Sequence, residues 1–143
     1  MALPTHLALE IVTPDRALVH EEVDEVQLPG SEGYLGILPG HTPLLTSLRV
    51  GQAWYRKGTE KTYLSIAFGF AEVLPDRVRL LAQIAERADE IDLTRAEEEK
   101  RRAEEQLEAA RTGAMDVDLE RARISLMKAM IRIQVATKAR IRN

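Results

Sequence analysis

The feature that most constrains this chain is a change of apolar period near residue 90. Before it, apolar residues alternate by twos, as in Val26-Gln27-Leu28 and Val78-Arg79-Leu80. A strand with one wet face has that period. After it, apolar residues return by threes and fours: Ala96, Ala103, Leu107 and Ala110, then Leu119, Ala122, Leu126, Ala129, Ile133 and Ala136. That is the period of helices with one shared seam. One chain carrying both periods in separate blocks is expected to build two units, a β-unit over residues 1–88 and a helical unit over 89–143.

Within the first block, Leu7 to Val12, Trp54-Tyr55 and Tyr63 to Phe70 add β-branched and aromatic material. Turn signals separate the runs: Thr13-Pro14-Asp15, Pro29-Gly30, Pro39-Gly40, Lys57-Gly58 and Pro75-Asp76. Short strands at this spacing predict a sandwich or flattened barrel. In the second block Asp92 is the expected N-cap, and Glu97 and Glu98 suit the positive end of a helix. Arg111-Thr112-Gly113 ends that helix. Asp116 is placed to cap a second one. A connection this short predicts an antiparallel two-helix hairpin, so the fold class is α+β. The second helix has a further apolar line, Ile124, Met127, Ile131 and Val135. It either packs on the β-unit or awaits a partner.

Charge adds to this division. Residues 1–88 hold 11 acidic and 8 basic side chains, and residues 89–143 hold 12 of each. Glu97, Glu98, Glu99, Glu104, Glu105 and Glu108 lead, and no acid follows Glu120. The tail has only Arg121, Arg123, Lys128, Arg132, Lys138, Arg140 and Arg142. Arg121 and Arg123 fall in the first turns, where the helix dipole disfavours cations. An acidic partner explains them better than solvation does.

Several chemistries find no residues. Without cysteine there is neither a disulfide nor a thiolate metal site. His6, His20 and His41 lack metal-ligand spacing, so no metal site is expected. There is no Walker loop and no Gly-x-Ser-x-Gly elbow, so no catalytic residue is nominated. No apolar run reaches the roughly 18 residues of a membrane span, and the first residues lack a signal core. A nucleic-acid role would need stacking groups beside the basic helix, which has no aromatic residue. A β-sandwich interaction module with a coiled-coil tail remains the bland alternative.

The run Gly30-Ser31-Glu32-Gly33-Tyr34-Leu35-Gly36-Ile37-Leu38-Pro39-Gly40-His41-Thr42-Pro43-Leu44-Leu45 resembles the signature of F-type ATP synthase epsilon subunits. Ile91-Asp92-Leu93-Thr94-Arg95-Ala96 is similar to the motif that opens that family's C-terminal domain. The resemblance covers essentially the whole chain. It implies a sandwich of about ten strands followed by the hairpin. It implies a non-catalytic subunit in the central-stalk rotor, coupling proton or sodium flow to ATP synthesis and inhibiting ATP hydrolysis through its helices. The partners implied are the gamma subunit and the c ring, with catalytic beta and alpha subunits when the hairpin extends; a membrane is met only through the complex. The implied location is the cytoplasmic face of a bacterial inner membrane, with the plastid thylakoid left open.

By motif position, contact with the c ring and gamma falls to Glu32, Tyr34 and His41. The implied inhibitory basic face is Arg121, Arg123, Lys128 and Arg132. No cofactor is required, but some bacterial members hold ATP in the folded hairpin as a regulatory ligand. Here that set is Glu86, Ile91, Asp92, Arg95, Arg102, Lys128 and Arg132, with Lys128 where ATP-binding relatives have arginine. With the turn centred near Ala114, Arg95 and Arg132 fall at one level and Arg102 and Lys128 at the next. Four cations could then meet a triphosphate; the alternative is a solvated charged face.

Overall fold

The computed structural model describes residues 3–113 and 118–141, without the side chains of 139–141. The chain separates between Arg87 and Ala88 into two compact units.

The first unit is an eight-stranded sheet: β1 (Leu7–Val12), β2 (Ala17–Val23), β3 (Glu25–Gly30), β4 (Gly33–Ile37), β5 (Leu44–Leu48), β6 (Gly51–Lys57), β7 (Glu60–Leu74) and β8 (Arg77–Arg87). The path runs β2-β1-β8-β7-β5-β3-β4, and β6 pairs with both β3 and β7. Inward residues at every second position close one core. Leu7, Leu9, Ile11, Leu28, Ile37, Leu64, Ile66, Val73, Val78 and Leu80 are each at most 1% exposed. Each such side chain stabilises the unit by roughly 1.5–3 kcal/mol.

Eight strands stand where about ten were expected, and one long bent strand accounts for part of the difference. β7 runs for 15 residues. Its Glu60–Ile66 part pairs with β6, and its Gly69–Val73 part pairs with β5. One strand thus serves two neighbours. The bend is made by Phe68 at φ 64° and Gly69 at φ 132°. A Cβ on Gly69 would stand 2.1 Å from the Leu81 carbonyl oxygen, so no side chain fits there. Pro29-Gly30 is also not a turn. Both residues are buried in β3, opposite Tyr34 and Gly33, and the turn falls at Ser31-Glu32. Pro29 contributes its carbonyl instead of an N–H, accepting from Arg49 N at 3.0 Å.

The second unit holds a short 3-10 turn (Ala88–Glu90), α1 (Leu93–Thr112) and α2 (Leu119–Ile141). Asp92 caps α1, accepting from Arg95 N at 3.1 Å. Gly113 ends it in the left-handed conformation, φ 70°, its N–H directed to the carbonyls of Ala109 and Ala110. The first turn of α1 contains no acid. Glu97 and Glu98 fall a turn later than expected, and Arg95 occupies the positive helix end. The proposed cap Asp116 and turn centre Ala114 lie outside the described residues. Asp118 supplies the capping bond of α2, accepting from Arg121 N at 3.1 Å.

The seam is narrower than its apolar pattern predicts. Ala96, Ala103, Ala122, Ala129 and Ala136 are buried, whereas Leu126 and Ile133 are half-buried and Leu119 is 48% exposed. Of the second apolar line Val135 is buried, Ile124 and Ile131 are half-buried, and Met127 is 43% exposed. Alanine loses no rotamer freedom on burial, but each contributes little apolar area.

Candidate functional sites on the strand and helical units

Two groups of sequence-nominated residues converge locally. The first lies at the start of β4. Glu32, Tyr34, Leu35, Leu44 and Leu45 line an open cleft together with Gly30 to Gly33 and Thr46-Ser47. Tyr34 is 48% exposed and Leu45 73% exposed, so the cleft presents apolar surface. Tyr34 is nonetheless braced. Its hydroxyl accepts from Gln52 N at 3.4 Å, and the Arg49 guanidinium lies 5.1 Å from its ring centroid. A Cβ on Gly51 would meet Pro29 Cβ at 2.6 Å and the Tyr34 hydroxyl at 3.2 Å, so the glycine lets the ring lie down.

His41 is not in this cleft. It follows the far end of β4, five residues of strand away, or roughly 16 Å at about 3.3 Å per residue. There its Nδ1–H donates to the Thr42 carbonyl at 2.6 Å, and Gly40 N donates to Pro75 O at 2.7 Å. Glu32 and Tyr34 therefore share one cleft, and His41 lies apart from it.

The second group lies on the helices. Glu99 Oε1 is 3.2 Å from Arg95 Nε and 3.1 Å from Arg132 Nη1. The Arg132 side chain is only 16% exposed, against 39% for Glu99 and 74% for Arg95. Glu99 and Arg132 are equally far from the midpoint of 115 and 116, so the register is centred later than Ala114. Arg95 then stands about one turn from the level of Arg132, bridged to it by Glu99. Arg102 is exposed near the level of half-buried Lys128. Ile91 is 9% exposed and Asp92 is engaged in the cap. Glu86 lies on β8 opposite Ser65, in the strand unit. The four cations are thus not an open cluster, because two already share a carboxylate. Reading by residue type missed Glu99 within the acidic run, although its i,i+4 spacing from Arg95 was a usable signal.

On the basic face, Arg121 and Arg123 are exposed, and Arg123 Nη1 stands 3.9 Å from Glu120 Oε2. The Arg140 side chain and all of Arg142 lie outside the described residues. Among the described residues no cluster of His, Cys, Asp or Glu could hold a metal ion, and no helix is long and apolar enough to cross a membrane.

Residues 6–88 match the family described as ATP synthase, Delta/Epsilon chain, beta-sandwich domain, and residues 89–137 match its long alpha-helix domain. The chain belongs to the ATP synthase delta/epsilon family. Among its relatives, the ATP synthase epsilon chain of Solibacter usitatus is 46% identical over 136 residues, covering 95% of this chain and 99% of that one. The epsilon chain of Herpetosiphon aurantiacus is 49% identical, covering 95% and 98%. The same fold occurs in a chain of the Euglena gracilis mitochondrial ATP synthase, at 21% identity and a TM-score of 0.79, covering 99% of this chain and 84% of that one. As an epsilon-type member of the delta/epsilon family, the chain is a non-catalytic subunit of F-type ATP synthase.

Proposed function

We propose that this subunit couples and brakes the rotary enzyme with different units. The strand unit attaches it to the central stalk, through the Glu32–Tyr34 cleft towards the c ring and through the His41 loop towards gamma. The helical unit folds as a hairpin that opens to place α2 against the catalytic subunits, where Arg121, Arg123, Lys128 and Arg132 impede ATP hydrolysis. The subunit meets the membrane only through the complex, on the cytoplasmic face of a bacterial membrane or its plastid equivalent.

The observation that carries this reading is the disparity in packing. The strand unit buries ten large side chains to within 1% of full burial, whereas the buried residues of α1 and α2, among those described, are alanines and Val135. A segment with few buried apolar contacts opens at low free energy while its neighbour stays folded. ATP as a ligand of the closed hairpin would oppose opening, through Arg95, Arg102, Lys128 and Arg132 with Ile91 and Asp92. Two of these arginines already reach one acceptor oxygen, which supports them as anion ligands.

Cysteine crosslinking in the assembled enzyme tests the attachment. Cysteine at Tyr34 is expected to join c, and cysteine at His41 to join gamma. Failure of both positions to join either subunit would contradict the proposed seat.

A further inference from the structure

Glu99 occupies the place where an anionic ligand of the hairpin would act. Its Oε1 is within 3.2 Å of Arg95 Nε and 3.1 Å of Arg132 Nη1, so one oxygen serves guanidinium groups of both helices. Each arginine has its own reason to need an anion. Arg95 sits in the acid-free first turn of α1, at the positive end of the dipole. Arg132 is 16% exposed, and a guanidinium so little solvated is costly unless paired. The carboxylate meets both needs with the kind of charge-assisted bond that a phosphate oxygen would make.

We infer that Glu99 is an internal stand-in for phosphate, competing for Arg95 and Arg132 with the oligophosphate of a nucleoside triphosphate. This rests on the reading of the hairpin as an ATP sensor and adds what sets its threshold. Arg95 Nε has a single N–H, so a phosphate oxygen cannot take it while Glu99 holds it, and two anions at one guanidinium pair repel. Binding therefore proceeds by exchange: the carboxylate turns out to solvent, where it is already 39% exposed, and the phosphate takes its donors. Arg102 and Lys128 add the charge by which a triphosphate outbids a single carboxylate. The exchange weakens affinity for the phosphate end of the ligand and leaves its nucleoside end untouched.

Calorimetry on the full chain tests this with ATP, inorganic triphosphate and adenosine as probes. Glu99→Gln keeps the side chain's size and removes its charge. It is expected to lower the dissociation constants of ATP and triphosphate by about tenfold, with adenosine unchanged. Arg132→Ala should weaken both anions in either background. Wild-type binding with no gain in Glu99→Gln, or a gain shared by adenosine, overturns the inference while leaving the ATP reading intact. No heat from any form at about ten millimolar overturns both. Should Glu99→Gln lose its helical circular dichroism, Glu99→Asp draws the carboxylate back by one methylene. It should show a gain of about threefold, and its absence would equally overturn the inference.

Discussion

Glu99 and Arg132 lie 33 residues apart in sequence, yet a 3.1 Å hydrogen bond joins them across the two helices. The bond marks the hairpin register, and alanines at seven-residue spacing fill the seam beside it. Leucine at that seam overfills it. Ala129→Leu should force the helices apart and destabilise their pairing by about 1–3 kcal/mol. Urea denaturation followed by helical circular dichroism should show an earlier helical transition. Tyrosine and tryptophan fluorescence from the strand unit should keep its midpoint.

The bend of β7 has a sharper requirement. Gly69→Ala puts a Cβ against the Leu81 carbonyl at φ 132°, where backbone must move. A loss of about 3 kcal/mol from the strand unit is expected, from strain and overpacking together. A thermal midpoint within a degree of wild type would contradict the account of the bend.

Asp24 gives the strand unit an acid limit. Its Oδ2 accepts from Gly58 N at 2.7 Å and its Oδ1 from His6 Nδ1 at 2.9 Å, and these bonds hold its carboxyl below the usual value of 3.8. The folded-state value is depressed, so the stabilisation is present above pH 3.8 and is lost as pH falls below it. Asp24→Asn should therefore lower the urea midpoint at pH 7 and flatten its fall as pH drops below 3.8. Tyr55 works from the alkaline side. Burial first, then a hydrogen bond to Glu21, pushes its phenol from 10.0 up to about 12. Its contribution is complete below pH 10 and fades as pH rises towards 12, so Tyr55→Phe should flatten that limb.

Much of this was legible from residue order. Asp92 and Gly113 act as the two ends of α1 because their chemistry is local: a carboxylate over the first turn and a residue without Cβ at a left-handed position. Of the expected seam, Ala96, Ala103, Ala122, Ala129 and Ala136 are buried, while Leu119 is exposed. What failed depends on distant partners. Pro29-Gly30 has turn composition but lies in β3, since β4 pairs with it along its length. Gly69 gave no sign that Leu81 would approach it so closely. An assumed turn centre near Ala114 shifted the helix levels, which hid Glu99 between Arg95 and Arg132.

The Glu32–Tyr34 cleft depends on Gly51. Gly51→Ala would push Pro29 and lift the Tyr34 ring. It should cut crosslinking from a cysteine at Leu45 by severalfold, with the hairpin's circular dichroism unchanged. Equal yields would show that the ring's seat does not shape this surface.

The central claim is that the helices brake hydrolysis while the strand unit attaches the subunit. The direct measurement is ATPase activity of a catalytic head lacking epsilon, reconstituted with the full chain, with a chain ending at Glu90, or with Arg121, Arg123, Lys128 and Arg132 all changed to alanine. Each exposed pair contributes only about 0.2–1 kcal/mol, so the four cations are expected to act together and to weaken with salt. Both altered forms are expected to bind as the full chain does and to give severalfold higher hydrolysis at low salt and low ATP. Normal binding of the shortened chain with unchanged hydrolysis under those conditions would contradict the account.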